Sequence, residues 1–216
     1  MTQHHRDHLE TLTEIRSIME RSSRFISLSG LSGVAAGLWA LLGAAAAFAY
    51  LGATPFSNSR YYYLTEGAGA GWGISPTAFF ALNGALVLLL ALSSGIYFTT
   101  RKARRRGLPV WDRLTRRLLW HLAVPLATGG AFCLAMLQQG WVGFIAPATL
   151  IFYGLALLNA SKFTLNDIQY LGLSEIALGL FAAFYPGYGL EYWAIGFGVL
   201  HIVYGMGMYF KYERAV

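Results

Sequence analysis

A chain of 216 residues with 56% hydrophobic and only 12% charged side chains is too apolar for an ordinary soluble domain, in which roughly 25% of residues are charged. The formal net charge of +6 does not argue for nucleic acid as a partner. The basic residues lie in loops between apolar runs, where membrane topology alone puts them. The single cysteine, Cys133, excludes an internal disulfide and reads as a small packing residue.

Residues 1–24 form a charged N-terminal segment. Within it, residues 7–21 have the pattern of an amphipathic helix. Asp7 and Glu10 stand at capping-box spacing, and Leu9, Leu12, Ile15 and Ile18 recur every three or four residues. Such a helix lies along a membrane surface or docks on a protein partner. His4, His5 and His8 precede it and read as a polar tip; no metal site is assigned there.

The region 25–210 is expected to be an all-α transmembrane domain. A helix crossing a bilayer needs about 20 predominantly apolar residues. Six runs qualify: 25–51, 76–99, 118–138, 141–158, 170–185 and 192–210. The fifth is the shortest, stopped by Pro186 and Gly187. Pro125 and Pro147 are expected to interrupt helical bonding in the third and fourth. The loop 52–75 alternates Gly67, Gly69, Gly71 and Gly73 around Trp72 and reads as a connector. Residues 211–216 form a tail.

Lys and Arg in short loops set orientation. Arg6, Arg16, Arg21 and Arg24 precede the first run. Eight basic residues between Arg101 and Arg117 follow the second, Lys162 follows the fourth, and Lys211 and Arg214 follow the sixth. The opposite loops hold Arg60 alone. Both termini are therefore expected in the cytoplasm, with six spans arranged as three in-out-in hairpins. Trp72, Trp141, Tyr192 and Trp193 fall near one boundary and Trp111 and Trp120 near the other, as interfacial anchors do. Arg101, Lys102, Arg104, Arg105 and Arg106 suit contact with anionic lipid headgroups.

An internal repeat is visible. Residues 30–40, GLSGVAAGLWA, and 172–182, GLSEIALGLFA, agree at seven of eleven positions without gaps. Gly95-Ile96-Tyr97-Phe98 echoes Gly207-Met208-Tyr209-Phe210. Ile151-Phe152-Tyr153-Gly154 echoes Ile202-Val203-Tyr204-Gly205. Segments two or four spans apart keep one orientation, so the repeat is parallel, with its axis near the membrane normal. Spans one and two are expected to correspond to five and six.

The segments 21–33, RSSRFISLSGLSG, and 170–180, YLGLSEIALGL, resemble an uncharacterised group of six-span bacterial integral membrane proteins. The resemblance runs through most of the chain. It implies a bacterial plasma-membrane location and carries no catalytic, binding or cofactor residues.

Small residues let helices approach closely in lipid. Gly30, Gly33 and Gly37 stripe one face of span one. Gly172, Glu175 and Gly179 share a face of span five, and Gly198, His201 and Gly205 one of span six. At about 1.5 Å per residue, Glu175 lies roughly 8 Å and His201 roughly 12 to 13 Å above the inner boundary. Ionisable groups at such depth are expensive and are candidates for function. Around them the candidate ligand or proton site collects Ser32, Ser174, Tyr153, Tyr204 and His121. Asn83 in span two reads as a bridge between helices.

A Schiff base needs a lysine deep in the membrane, and Lys102, Lys162 and Lys211 all fall at the cytoplasmic ends of the spans. His121 and His201 differ in depth by roughly 7 to 8 Å, which disfavours bis-histidine haem. H-E-x-x-H, a P-loop and G-x-S-x-G are absent from the sequence, and no cofactor or catalytic residue is assigned. The reading that fits these features is a small transporter or small-molecule-binding membrane protein with Glu175 and His201 at its site. A membrane scaffold or sensor, acting through the N-terminal helix and the basic loop, is the alternative from another class. An intramembrane enzyme is the third, without a nucleophile to support it. Oligomeric state is left open.

Overall fold

The computed structural model describes residues 28–56, 71–107 and 109–214. The amphipathic segment 7–21 and residues 57–70 of the long loop lie outside these. The described residues are helical and contain no strand. Six helices are long and apolar enough to cross a bilayer, the construction of a multi-pass membrane protein.

The principal helices are α1 (Gly30–Leu51), α2 (Pro76–Arg105), α3 (Arg113–Gln138), α4 (Ile145–Ala160), α5 (Asp167–Phe184), α6 (Gly189–Trp193) and α7 (His201–Tyr212). A π-helical segment, Ala194–Leu200, joins α6 to α7. Their ends follow ordinary capping chemistry. Gly52 closes α1 in the left-handed region at φ 59, with its N–H on the Ala49 carbonyl. Ser75 caps α2, accepting from the Ala78 N–H, and Pro76 begins the helix. Asp112 caps α3 through the Thr115 N–H.

Several elements outrun the apolar segments that seed them. α2 has 30 residues, about 45 Å of helix against a hydrocarbon core of about 30 Å. Lys102, Arg104 and Arg105 therefore ride on its last turn rather than in a loop. Pro186 does not end the fifth span in a loop. It opens a short 3-10 turn, Pro186–Tyr188, that leads straight into α6, so the sixth candidate span runs Pro186–Tyr212. Pro147 lies in the first turn of α4, where no intrahelical bond is lost. Pro125 sits inside α3, which continues through it.

α1 packs between α2 and α7, and α4 packs between α3 and α5. The two groups meet where α6 and the π segment contact α4 and α5. α2 and α3 are the outer helices, exposing Leu82, Leu86, Leu89 and Ile96 on one and Trp120 and Leu134 on the other. Inside, two crossings bring backbones together at glycine. A Cβ added to Gly205 would lie 2.6 Å from the Val34 nitrogen, and one on Gly154 would lie 2.5 Å from the Gly172 carbonyl oxygen. Asn83 donates to the Gly43 carbonyl at 3.0 Å, bridging α2 to α1. Trp39 does the same work through Ser94 at 3.0 Å.

The bundle has two chemically distinct ends. At the aromatic end Tyr50 stacks on Phe79 with centroids 4.0 Å apart, and Trp72 meets both edge-on. At the basic end Lys211 pairs with Asp167 at 3.0 Å, tying α7 to α5.

Candidate functional site: a buried carboxyl, imidazole and phenol

The glycine face of α5 decides where Glu175 points. Gly172 and Gly179 lie against α4, at Gly154 and Ile151, so the residue between them on that face is carried into the bundle. Glu175 is 0% exposed. Its Oε2 occupies the space a side chain on Gly196 would need, since a Cβ there would lie 2.5 Å away. Glycine at 196 is thus what admits the carboxyl.

His201, the first residue of α7, is also buried. Its Nδ1 is 3.0 Å from the Gly196 carbonyl oxygen and its Nε2 is 2.7 Å from the Tyr153 hydroxyl. A carbonyl only accepts, so Nδ1 carries a proton; in the neutral tautomer Nε2 then accepts and Tyr153 donates. The ring lies between α4 and the π segment. Phe197 flanks both rings, 5.0 Å from Tyr153 and 6.0 Å from His201.

Glu175 Oε1 lies 3.5 Å from Nδ1, yet neither carboxyl oxygen has a hydrogen-bond partner among the described residues. A buried charge needs a partner or must be neutralised; left alone it costs several kcal/mol. The π geometry coincides with this point. Such segments are rare and concentrate at functional sites.

Of the other sequence candidates, only Tyr153 touches the pair. Tyr204 meets Ser174 at 3.4 Å, and Ser174 itself donates to the Tyr170 carbonyl. Ser32 bonds its own turn at the Ser29 carbonyl. His121 stacks on Phe163 with centroids 4.6 Å apart, away from the pair. Residues next to a helix stripe are turned about 100° from it, which is why Ser32 and Ser174, beside Gly33 and Glu175, miss the cluster. Gly196, which sequence reasoning did not single out, belongs to it. Among the described residues no three His, Cys, Asp or Glu side chains gather as a metal site.

A second carboxylate, partly buried, was likewise not singled out. Glu213, just past α7, accepts from the Gly30 N–H and from the Ser29 hydroxyl, and pairs with Lys102 at 3.2 Å. Ser29 gives α1 no side-chain cap; Glu213 supplies one from the other end of the chain. Lys102, read from sequence with its neighbours as a headgroup contact, is 8% exposed and turned inward to Glu213 and the Leu28 carbonyl. Arg106 donates to the Tyr212 carbonyl at 2.9 Å. At the aromatic end a third acid, Glu191, is buried and accepts the Phe56 N–H at 2.9 Å.

Compared with protein-family models, with curated proteins and with solved structures, the chain matches none. The resemblance to a bacterial six-span group gains no support from these comparisons.

Proposed function

We propose that this chain is a small proton-linked membrane transporter whose exchanging groups are Glu175 and His201, with Tyr153 orienting the imidazole. One observation carries the reading: a wholly enclosed carboxyl, beside an imidazole, with no hydrogen bond to either oxygen among the described residues. Structural carboxylates in lipid-embedded helices are kept by donors, and this one has none. Ionisable groups of this kind mark proton relays in transporters.

The parallel repeat supports the same reading in a modified form. Gly30 lies on Gly205 and Gly172 on Gly154. Gly37 meets Ile202, and Gly179 meets Ile151. Gly205 meets Val34, and Gly154 meets Ile176. In the sequence alignment Gly30, Val34 and Gly37 correspond to Gly172, Ile176 and Gly179, and Ile202 and Gly205 to Ile151 and Gly154. Span one is thus to span six what span five is to span four. The repeating unit we infer is this crossing of two spans, in place of the hairpin of consecutive spans. Parallel repeats about a membrane-normal axis occur in carriers.

The basic loops support cytoplasmic termini. Arg101, Arg104 and Arg105 remain free to meet anionic lipid. Single cysteines in a Cys133→Ala background test the orientation. Labelling of intact cells by an impermeant reagent at Leu64→Cys but not at Arg104→Cys is expected, and the reverse would overturn it.

The functional reading is tested in lipid nanodiscs by infrared difference spectroscopy as pH is stepped, and in proteoliposomes by an enclosed pH dye. A carboxyl C=O band that titrates in the wild type and is missing in Glu175→Gln, with loss of proton flux in the variant, is expected. Absence of any Glu175 band over the accessible range, with unchanged flux, would remove the proposal. The second reading, a rigid scaffold that meets a partner through residues 7–21, is favoured by the backbone-close crossings. It expects the same band to be silent.

A further inference from the structure

The His201 Nδ1–H stands between two acceptors, the Gly196 carbonyl at 3.0 Å and Glu175 Oε1 at 3.5 Å. The first belongs to the π segment Ala194–Leu200. In π geometry backbone bonds span five residues, a rarer and less regular arrangement than the four of an α-helix. Among the described residues the side chain on the Gly196 carbonyl is the imidazole of His201.

We propose that the π segment Ala194–Leu200 is a conformational switch set by the charge on Glu175 and relayed by the His201 imidazole. This rests on the proton-exchange reading above. With Glu175 neutral, Nδ1–H stays on the Gly196 carbonyl, as described. When Glu175 releases its proton, the carboxylate draws Nδ1–H to itself, because a charge-assisted bond is about twice as strong as a neutral one. The imidazole keeps its proton and only changes acceptor. Tyr153 continues to donate to Nε2. The Gly196 carbonyl then loses its side-chain donor and keeps only the five-residue backbone bond of the π pattern, so nothing further favours that geometry over the more regular α-helix at this carbonyl. Conversion of the segment to α geometry pairs it with the N–H of Leu200, four residues on.

That conversion rotates the chain before the segment by about 100° relative to α7, one residue of helix. The moving part, Gly189–Trp193, carries Glu191, whose Oε1 holds the Phe56 N–H beyond the end of α1. It also carries Trp193, whose ring lies 5.1 Å from Phe197. Deprotonation deep in the bundle is thereby read out at the aromatic end. The titratable groups facing Glu175 are His201 from α7 and Tyr153 from α4. Tyr204 lies one turn further along α7 on Ser174, and α1 contributes no titratable side chain before Tyr50.

Hydrogen–deuterium exchange by mass spectrometry on nanodisc-embedded protein tests this, read across residues 189–201 as pH is varied and corrected for intrinsic rates. The infrared band of Glu175 is followed on the same samples. Exchange of the segment is expected to slow by about tenfold as the carboxyl ionises, the difference between a neutral and a charge-assisted bond. Its midpoint should coincide with that of the band. Glu175→Gln should hold the fast-exchanging form at every pH. A carboxyl that titrates while the segment's exchange stays constant would overturn the switch and leave proton exchange standing. A response that survives in Glu175→Gln would also overturn it. A carboxyl that never titrates would remove the site reading itself. Should the Gln variant not fold, non-coincidence of the two wild-type midpoints is the overturning result.

Discussion

Glu213 and Glu175 are both carboxyls on elements that pack in one bundle, the first partly and the second wholly buried, and they are held in opposite ways. Glu213 takes a backbone N–H, a hydroxyl and a lysine ammonium. Glu175 takes nothing, although an imidazole N–H stands 3.5 Å away on another acceptor. The first arrangement fastens α1, α2 and α7 at the basic end and neutralises a buried charge. The second leaves a costly group unsupported where a few tenths of an ångström would support it. Satisfied groups hold a fold; an unsatisfied acceptor beside a donor engaged elsewhere is what a switching site requires.

The comparison is broken most forcefully at the fastened carboxylate. Glu213→Ala leaves Lys102 buried without its counter-charge and removes the cap of α1. Losing one partner of a buried pair costs about 3–5 kcal/mol. A large fall in thermal unfolding temperature in detergent is expected. A second change, Lys102→Met, should restore part of the loss, since no charge is then stranded. Equal stability of Glu213→Ala and wild type would mean that the clasp contributes nothing.

The next effect tests whether the crossings position the site. A methyl on Gly154 would meet backbone atoms, the Gly172 oxygen at 2.5 Å and the Ile176 nitrogen at 2.9 Å. Neither can move as a side chain would. Gly154→Ala is expected to cost about 1–3 kcal/mol, the range for overpacking. It should also disturb the Glu175 infrared band, because α4 carries Tyr153. Gly84→Ala, on the exposed side of α2 with nothing within 4 Å, should be silent in both measurements. A silent Gly154→Ala would show that the crossing is looser than its distances.

What could be read from sequence divides along the same line. The spans were legible because bilayer thickness fixes how many apolar residues a helix needs. The small-residue stripes and the depth of Glu175 and His201 were legible because helix periodicity places them on one face. The role of Glu213 was not, since it depends on meeting Gly30 across 183 positions, and one acid in a basic tail carries no local signal. The π segment was not legible either. AIGFGVL is a good membrane helix by composition, and nothing in it announces a five-residue bond spacing. The partnering of spans one with six and four with five was half legible. The Tyr-Gly echo was present at 153–154 and 204–205, but nothing local says which spans cross at it.

Asp112 offers a second partly buried carboxylate cap to set beside Glu213. It opens α3 by accepting from the Thr115 N–H and hydroxyl. Partial burial pushes its carboxyl up, and the bonds from Thr115 outweigh that and hold it below the ordinary carboxylate value. A carboxyl lowered in the folded state contributes stability above its unfolded value and loses it as pH falls through the folded one. Asp112→Ala should therefore cost about 1 kcal/mol near neutral pH, the usual worth of such a cap. The difference from wild type should shrink in acid. A cost independent of pH would assign the effect to geometry rather than charge.

The smallest expected change in stability is at Glu175, and it is the one that sharpens the contrast. Gln has the shape of Glu and cannot ionise. At a carboxyl with no donors there is no hydrogen bond to lose, and a group that never has to carry charge removes a burial cost. Glu175→Gln is expected to unfold within about 0.5 kcal/mol of wild type or slightly above it, the range of substitutions that break no named interaction. It should still abolish the titrating band and the proton flux. Glu213→Gln should do the reverse, weakening the fold while leaving the Glu175 band where it was. Thermal unfolding and infrared titration on the two variants, in one lipid, separate the cases. If Glu175→Gln destabilised the protein as much as Glu213→Gln does, the buried carboxyl would be a structural member after all, and the unsupported geometry at His201 would have lost its meaning.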